Sequence, residues 1–140
     1  MSVAFVESVK RCTQSASFLD RLHEEVMLRG ANVRVRFAGV DVFKAKYLFN
    51  RLLMALVRRA SGVPGTETVI GGLAGEFGPR GLNLPEAFFL DWQEALLAAV
   101  RATDRQLTPE LEREWRQVTG AELGHFVATI RVNGGMAAGW

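Results

Sequence analysis

Three observations predict a single all-α domain for this chain of 140 residues. Apolar residues recur at three-to-four spacing along most of its length. Short clusters of Gly, Pro, Ser and Asp separate those periodic stretches. Only "ANVRVRF" at 31–37 alternates as a strand would, and it has no second strand to pair with. The length suits one domain and is too short for two comfortable ones.

Each element follows in order. From Phe18, the residues Phe18, Leu19, Leu22, Val26 and Met27 form one helical face, with Ser17 placed to cap it and Gly30 to end it. "ANVRVRF" is then a connector or one helical turn. Asp41 stands at the N-cap of a long helix, where Val42, Ala45, Leu48, Phe49, Leu52, Leu53, Leu56 and Val57 make a wide apolar face. "SGVPG" at 61–65 is a loop. "TETVIGGLAGEF" predicts a weaker helix, loosened by three glycines and closed by Gly78, Pro79 and Gly81. In "LPEAFFLDWQEALLAAV", Pro85 takes a first-turn position. Phe88, Trp92, Leu96 and Val100 repeat along that helix, flanked by Phe89 and Ala99. Thr108 and Pro109 open a last helix whose face runs from Leu111, Trp115 and Val118 to Leu123, Phe126, Val127 and Ile130. The reading is thus six or seven helices over 1–132 and a loose tail at 133–140, unless Trp140 docks. The helix around residue 72 is the least self-stable. A weak element in a consistent frame is where function justifies a local cost.

Composition excludes several classes. Hydrophobic residues at 49% and charged residues at 23% place the chain among ordinary globular domains, away from disorder. A net charge of +2 makes no demand for nucleic acid or a membrane. Cys12 is the single cysteine, so it has no internal disulfide partner; it reads as a small buried hydrophobe in a reducing compartment. "MSVAFVESVKRC" carries charges where a signal peptide needs an apolar core. The longest apolar run, "LLMALV" at 52–57, is far short of a membrane span. A soluble cytoplasmic domain is the expectation.

Catalytic constellations are scarce. The two histidines, His23 and His125, lie about a hundred residues apart, and no Cys/His cluster has metal spacing. "GGLAG" follows no strand, so a phosphate cradle is not expected. No nucleophile–base pair can be nominated, and an enzyme is not expected. The glutamates at 24, 25, 110, 112 and 114 read as solvated faces. Arg58 with Arg59, and Lys44 with Lys46, offer contacts to an acidic partner, although a solvated face is the simpler reading.

The order of parts resembles a bacterial globin. "FLDRLHEEV" is followed by "RFAGVD", "LFNRLLMALV", "LAGEFGPRGLN", "FFLDWQEALLAAVRATD" and "LTPELEREWRQV". The match runs from about Phe18 to Ile130. Its most specific pieces are Phe37 before "AGVD", the "F..DW..ALL..V...D" helix and "TPEL...W". The resemblance implies a globin-like three-over-three helical sandwich in which Phe37 packs on the haem face. It also implies a proximal histidine as iron ligand in the slot that Phe77 fills here. On the distal side it places Ala45 where a polar Gln or His is common and Phe49 where an aliphatic residue is usual. His23 falls on an aromatic distal position.

Two readings follow from that resemblance. In the first, the chain is a haem-free sensor, regulatory or interaction module that binds a partner protein or an apolar ligand. In the second it is an atypical haem protein handling oxygen, nitric oxide or electrons, with His23 or His125 as substitute ligand. An empty haem cavity of several hundred Å³ would cost on the order of 10 kcal/mol, the whole stability of a domain. The extra bulk of Phe49 and Phe77 favours filling of that space, and Ala45 opposes complete filling. The first reading is therefore preferred, with no cofactor expected. The two Trp-bearing helices also offer a homodimer face.

Overall fold

The computed structural model describes residues 1–134. Among them are seven helices: α1 (Val3–Thr13), α2 (Phe18–Met27), α3 (Ala31–Phe37), α4 (Val42–Ala60), α5 (Thr66–Phe77), α6 (Glu86–Thr103) and α7 (Pro109–Val132). Helices α1, α4 and α5 form one layer over α2, α6 and α7, with α3 bridging α2 to the start of α4. The tail predicted from 133 onward, Trp140 included, lies outside the described residues from 135.

Local chemistry explains the starts of two of the long helices. The Asp41 carboxylate accepts from the Phe43 and Lys44 amides, and the Thr108 hydroxyl accepts from Leu111 N–H with Pro109 in the first turn. Two expected caps differ. The Ser17 side chain caps nothing and lies 3.4 Å from the Ser15 hydroxyl. Gly30 does not end α2, which stops at Met27; with φ 144° it is the residue that redirects the chain into α3. Of the two readings of "ANVRVRF", connector or one helical turn, the structure takes the helical one and extends it to seven residues. Pro85 sits at the N-cap of α6, one residue before the first turn.

Helix α1 docks through a buried polar clamp. Phe5 meets Trp115 edge-on with ring centroids 5.0 Å apart. Beside them, Trp115 Nε1 donates to Ser8 Oγ at 2.8 Å, and Ser8 Oγ donates to Asp104 Oδ2 at 2.5 Å. Arg11 donates twice to the same carboxylate, from Nε at 2.6 Å and Nη2 at 2.9 Å, and Gln106 N–H adds a fourth bond at 3.0 Å. Burial opposes the Asp104 charge, but these donors outweigh it and hold the carboxyl below its ordinary value of 3.8. A depressed carboxyl stabilises the fold above its unfolded pKa, and the contribution is lost as pH falls through the lower folded value. Asp104→Asn is expected to cost about 2 to 3 kcal/mol near neutral pH. Urea unfolding measured from pH 7 to 2 should also show a flatter acid limb for the variant than for the parent.

Candidate functional site

Phe77 ends α5, and the turn behind it decides where its ring goes. The chain folds back over the helix end: Leu82 N–H bonds Glu76 O at 2.8 Å, Asn83 N–H bonds Gly78 O at 2.8 Å and Leu84 N–H bonds Phe77 O at 3.0 Å. Those bonds satisfy carbonyls that a helix end leaves without partners. The return passes so close that a Cβ on Gly81 would lie 2.0 Å from the Glu76 carbonyl oxygen. Asn83 takes the left-handed conformation, φ 53°, that such a reversal needs. Phe77 is thereby turned inward and has no exposure to solvent.

Its ring joins an aromatic cluster to which five helices contribute. Phe77 lies 5.8 Å from Phe126, 5.9 Å from Phe89 and 6.4 Å from Phe88, between ring centroids. Phe88 carries the contact onward to Phe49 at 6.5 Å and to Phe37, which stacks on it at 5.7 Å with a 27° tilt. Phe37 and Phe49 meet edge-on at 5.7 Å, and Phe49 reaches Trp92 at 6.5 Å. These are the centroid separations of favourable aromatic pairs. Ala45 is buried on α4, one turn before Phe49, and adds no polar atom. Thus Phe37, Phe49 and Phe77, named from separate parts of the sequence, meet through Phe88.

The histidines divide. His23 is half-buried at the edge of the cluster, its ring centroid 6.3 Å from that of Phe49. Burial lowers its pKa, the charge of Lys46 lowers it further, and Asp20 and Glu24 pull the other way. Among the described residues no hydrogen bond holds its ring, and no carbonyl partner is found there. His125 stands elsewhere: its Nε2 lies 3.3 Å from Glu67 Oε2, beside the start of α5. The two do not share a site. Among the described residues no group of three His, Cys, Asp or Glu side chains is placed to hold a metal ion.

Adjacent rings of the cluster stand in direct contact. A flat macrocycle between two rings needs them about 7 Å apart, two contacts of about 3.5 Å each. Phe37 stacks directly on Phe88 at 5.7 Å, and Phe88 bridges Phe49 to Phe77. Phe77 itself offers no atom to iron. One polar atom in this region is left over: among the described residues, Trp92 Nε1 is buried without a hydrogen-bond partner, at a cost of about 1–3 kcal/mol.

Sequence reasoning did not identify Phe88 as the hub, or the Trp92 orphan. One signal was available. Adjacent residues on a helix point about 100° apart, so the pair Phe88–Phe89 buries two rings only on a helix covered from two sides, as α6 is by α2 and α7.

No protein-family model matches the chain, and no curated protein matches it. A solved structure does: a crystal structure of a protein from Pseudomonas aeruginosa PAO1, described as structurally highly homologous to a human hemoglobin. It is 25% identical, superposes with a TM-score of 0.79, and the match covers 90% of this chain and 95% of that one. Helix order, two-layer packing and this likeness agree, and the chain has a globin-like all-α fold.

Proposed function

We propose that the chain is a globin-fold module that works without haem, as a sensor or regulatory element binding a partner protein or an apolar ligand. The observation that carries this reading is the Phe88 bridge between Phe49 and Phe77, the two positions that resemble the distal and proximal sides of a haem pocket. Each such ring pair adds about 0.5–1.5 kcal/mol beyond its buried area, so the cluster favours its closed arrangement. A macrocycle must displace Phe88 to enter. The scarcity of nucleophile–base pairs supports a binding role over an enzymatic one.

Titration of the purified protein with ferric and then ferrous haem tests the reading. Only the broad absorption of free haem is expected. A sharp Soret band at one-to-one stoichiometry would overturn it. His23→Ala and His125→Ala would then identify the ligand, and the role would lie in oxygen, nitric oxide or electron chemistry. A homodimer is the other partner reading. It would use the outer face of α6 and α7, where Leu90 is 64% exposed beside a small groove at Gly120 and Gly124. Sedimentation of the parent and of Leu90→Glu addresses it.

A further inference from the structure

Helix α4 presents a second face, away from the aromatic cluster. Its 19 residues, "VFKAKYLFNRLLMALVRRA", include five cationic side chains and no acidic one. Phe43, Tyr47, Arg51, Met54 and Arg58 follow one another at spacings of three and four, so they form one stripe about 22 Å long. Its first rings stay in solvent: Phe43 is 79% exposed and Tyr47 59%. Lys46 lies over the Phe43 ring at 5.2 Å and Arg51 over the Tyr47 ring at 5.5 Å. At its far end the stripe enters a groove of about 440 Å³ between α4 and the 63–69 corner. Met54, Val63 and Val69 form its apolar walls, and Asn50, Arg51 and Arg58 its polar rim.

The charges on this helix are unequally used. Lys46 pairs with Asp20, Arg51 with Glu76, and Arg59 with both Glu67 and Glu122. Among the described residues Lys44 and Arg58 have no ion pair, and both are exposed. The face therefore joins exposed aromatics, an apolar groove and unneutralised positive charge.

We infer that this face docks an amphipathic helix of a partner protein, one with apolar anchors flanked by Glu or Asp. Anchors enter the groove at Met54 and Val69 and pack on Tyr47, while carboxylates meet Arg58 and Lys44. Exposed Tyr and Arg beside a recess are the residues that dominate such contacts. Charge selects the occupant. A second copy on a two-fold axis would set this cationic face against itself. A flat anionic membrane would meet the charges but leave the concave groove unfilled, whereas a partner's side chains fill it. The inference rests on the interaction-module reading above and gives that module its surface and the chemistry of its partner.

The test uses the full chain and a fluorescein-labelled model peptide of about 15 residues, with leucines at i, i+3, i+4 and i+7 and glutamates flanking them. Fluorescence anisotropy is expected to show saturable binding that weakens at about 0.5 M salt. Arg58→Glu and Val69→Asp should each weaken it at least about tenfold, with circular dichroism unchanged. Arg113→Glu, on α7, should leave it intact. Absence of binding, or equal binding of a peptide with lysine in place of glutamate, overturns the proposal. A parent dimer that Arg58→Glu dissociates overturns it in favour of a second copy. Arg58-dependent co-sedimentation with phosphatidylserine vesicles, without peptide binding, overturns it in favour of a membrane. Haem uptake is read separately: a Soret band unseats the haem-free reading whatever the peptide does, and peptide failure without haem uptake unseats only the docking face.

Discussion

Phe77→Ala is expected to destabilise the fold by about 3 to 5 kcal/mol, and so to lower the melting temperature by about 10 °C or more. The ring is fully buried and touched by Phe88, Phe89 and Phe126. Those three neighbours come from two other helices, so they cannot follow the missing atoms without moving α6 or α7. The loss therefore combines the transfer of a phenyl group with a cavity that relaxes only in part. Phe77→Leu, which keeps most of the volume, should lose about 1 to 2 kcal/mol. An apolar hole of this kind stays dry and takes up small aromatics. Thermal unfolding of Phe77→Ala with and without added benzene should show a partial return of stability that the parent does not show. If alanine at 77 costs under about 1 kcal/mol, the ring is not the keystone its contacts imply.

Gly81→Ala is the second large effect. The new methyl carbon would lie 2.0 Å from Glu76 O, 2.6 Å from Glu76 C and 2.9 Å from Glu76 Cα, all of them backbone. No side chain can swing aside, so the return over the end of α5 must open. That opening strains or breaks the bonds of Leu82, Asn83 and Leu84 N–H to Glu76, Gly78 and Phe77, each worth about 1 kcal/mol. It also frees the segment that aims Phe77 inward. A loss of about 3 kcal/mol or more is expected by urea unfolding. Gly72→Ala is the matched control. It lies on the exposed side of α5, a Cβ there meets nothing within 4 Å, and it should stabilise the protein by about 0.5 to 1 kcal/mol through helix propensity alone. Opposite signs for the same chemical change, nine residues apart, would separate a glycine the turn requires from one it does not.

The pair also shows what the sequence makes legible. Helices α4, α6 and α7 stand out because their apolar faces are long and unbroken, and Asp41 and Thr108 mark their starts with side chains that have one obvious use. Helix α1 is harder to read. Its buried face is Phe5, Ser8, Val9 and Cys12, and a serine in the middle of that stripe hides it until Trp115 and Asp104 supply the partners. Ser17 misleads for a related reason. A hydroxyl before an apolar run is a cap only when the backbone is extended there, and here it is helical, with φ −96° and ψ −4°. Around the candidate site, the globin resemblance picked out Phe37, Phe49 and Phe77 one at a time. Their convergence depends on packing between helices dozens of residues apart, which no local spacing encodes.

The pairs Arg58–Arg59 and Lys44–Lys46 illustrate the same limit on the surface. Sequence presents each as two equal charges. The fold neutralises Arg59 with two glutamates and Lys46 with Asp20, leaving one member of each pair without an ion pair among the described residues. Which of two adjacent cations is spent internally is settled by helix rotation alone.

Cys12 is fully buried on α1, and burial pushes its thiol up to about 12. Burial closes the sulfur to reagents and disfavours the thiolate, so slow alkylation of the native molecule is the expected result. Once α1 leaves its seat, the same sulfur becomes an ordinary reactive thiol. As the chain's single cysteine, it makes the protein its own clock: the pace of alkylation counts departures of α1, and comparison with the global unfolding rate tells whether the first helix leaves alone or takes the other six with it.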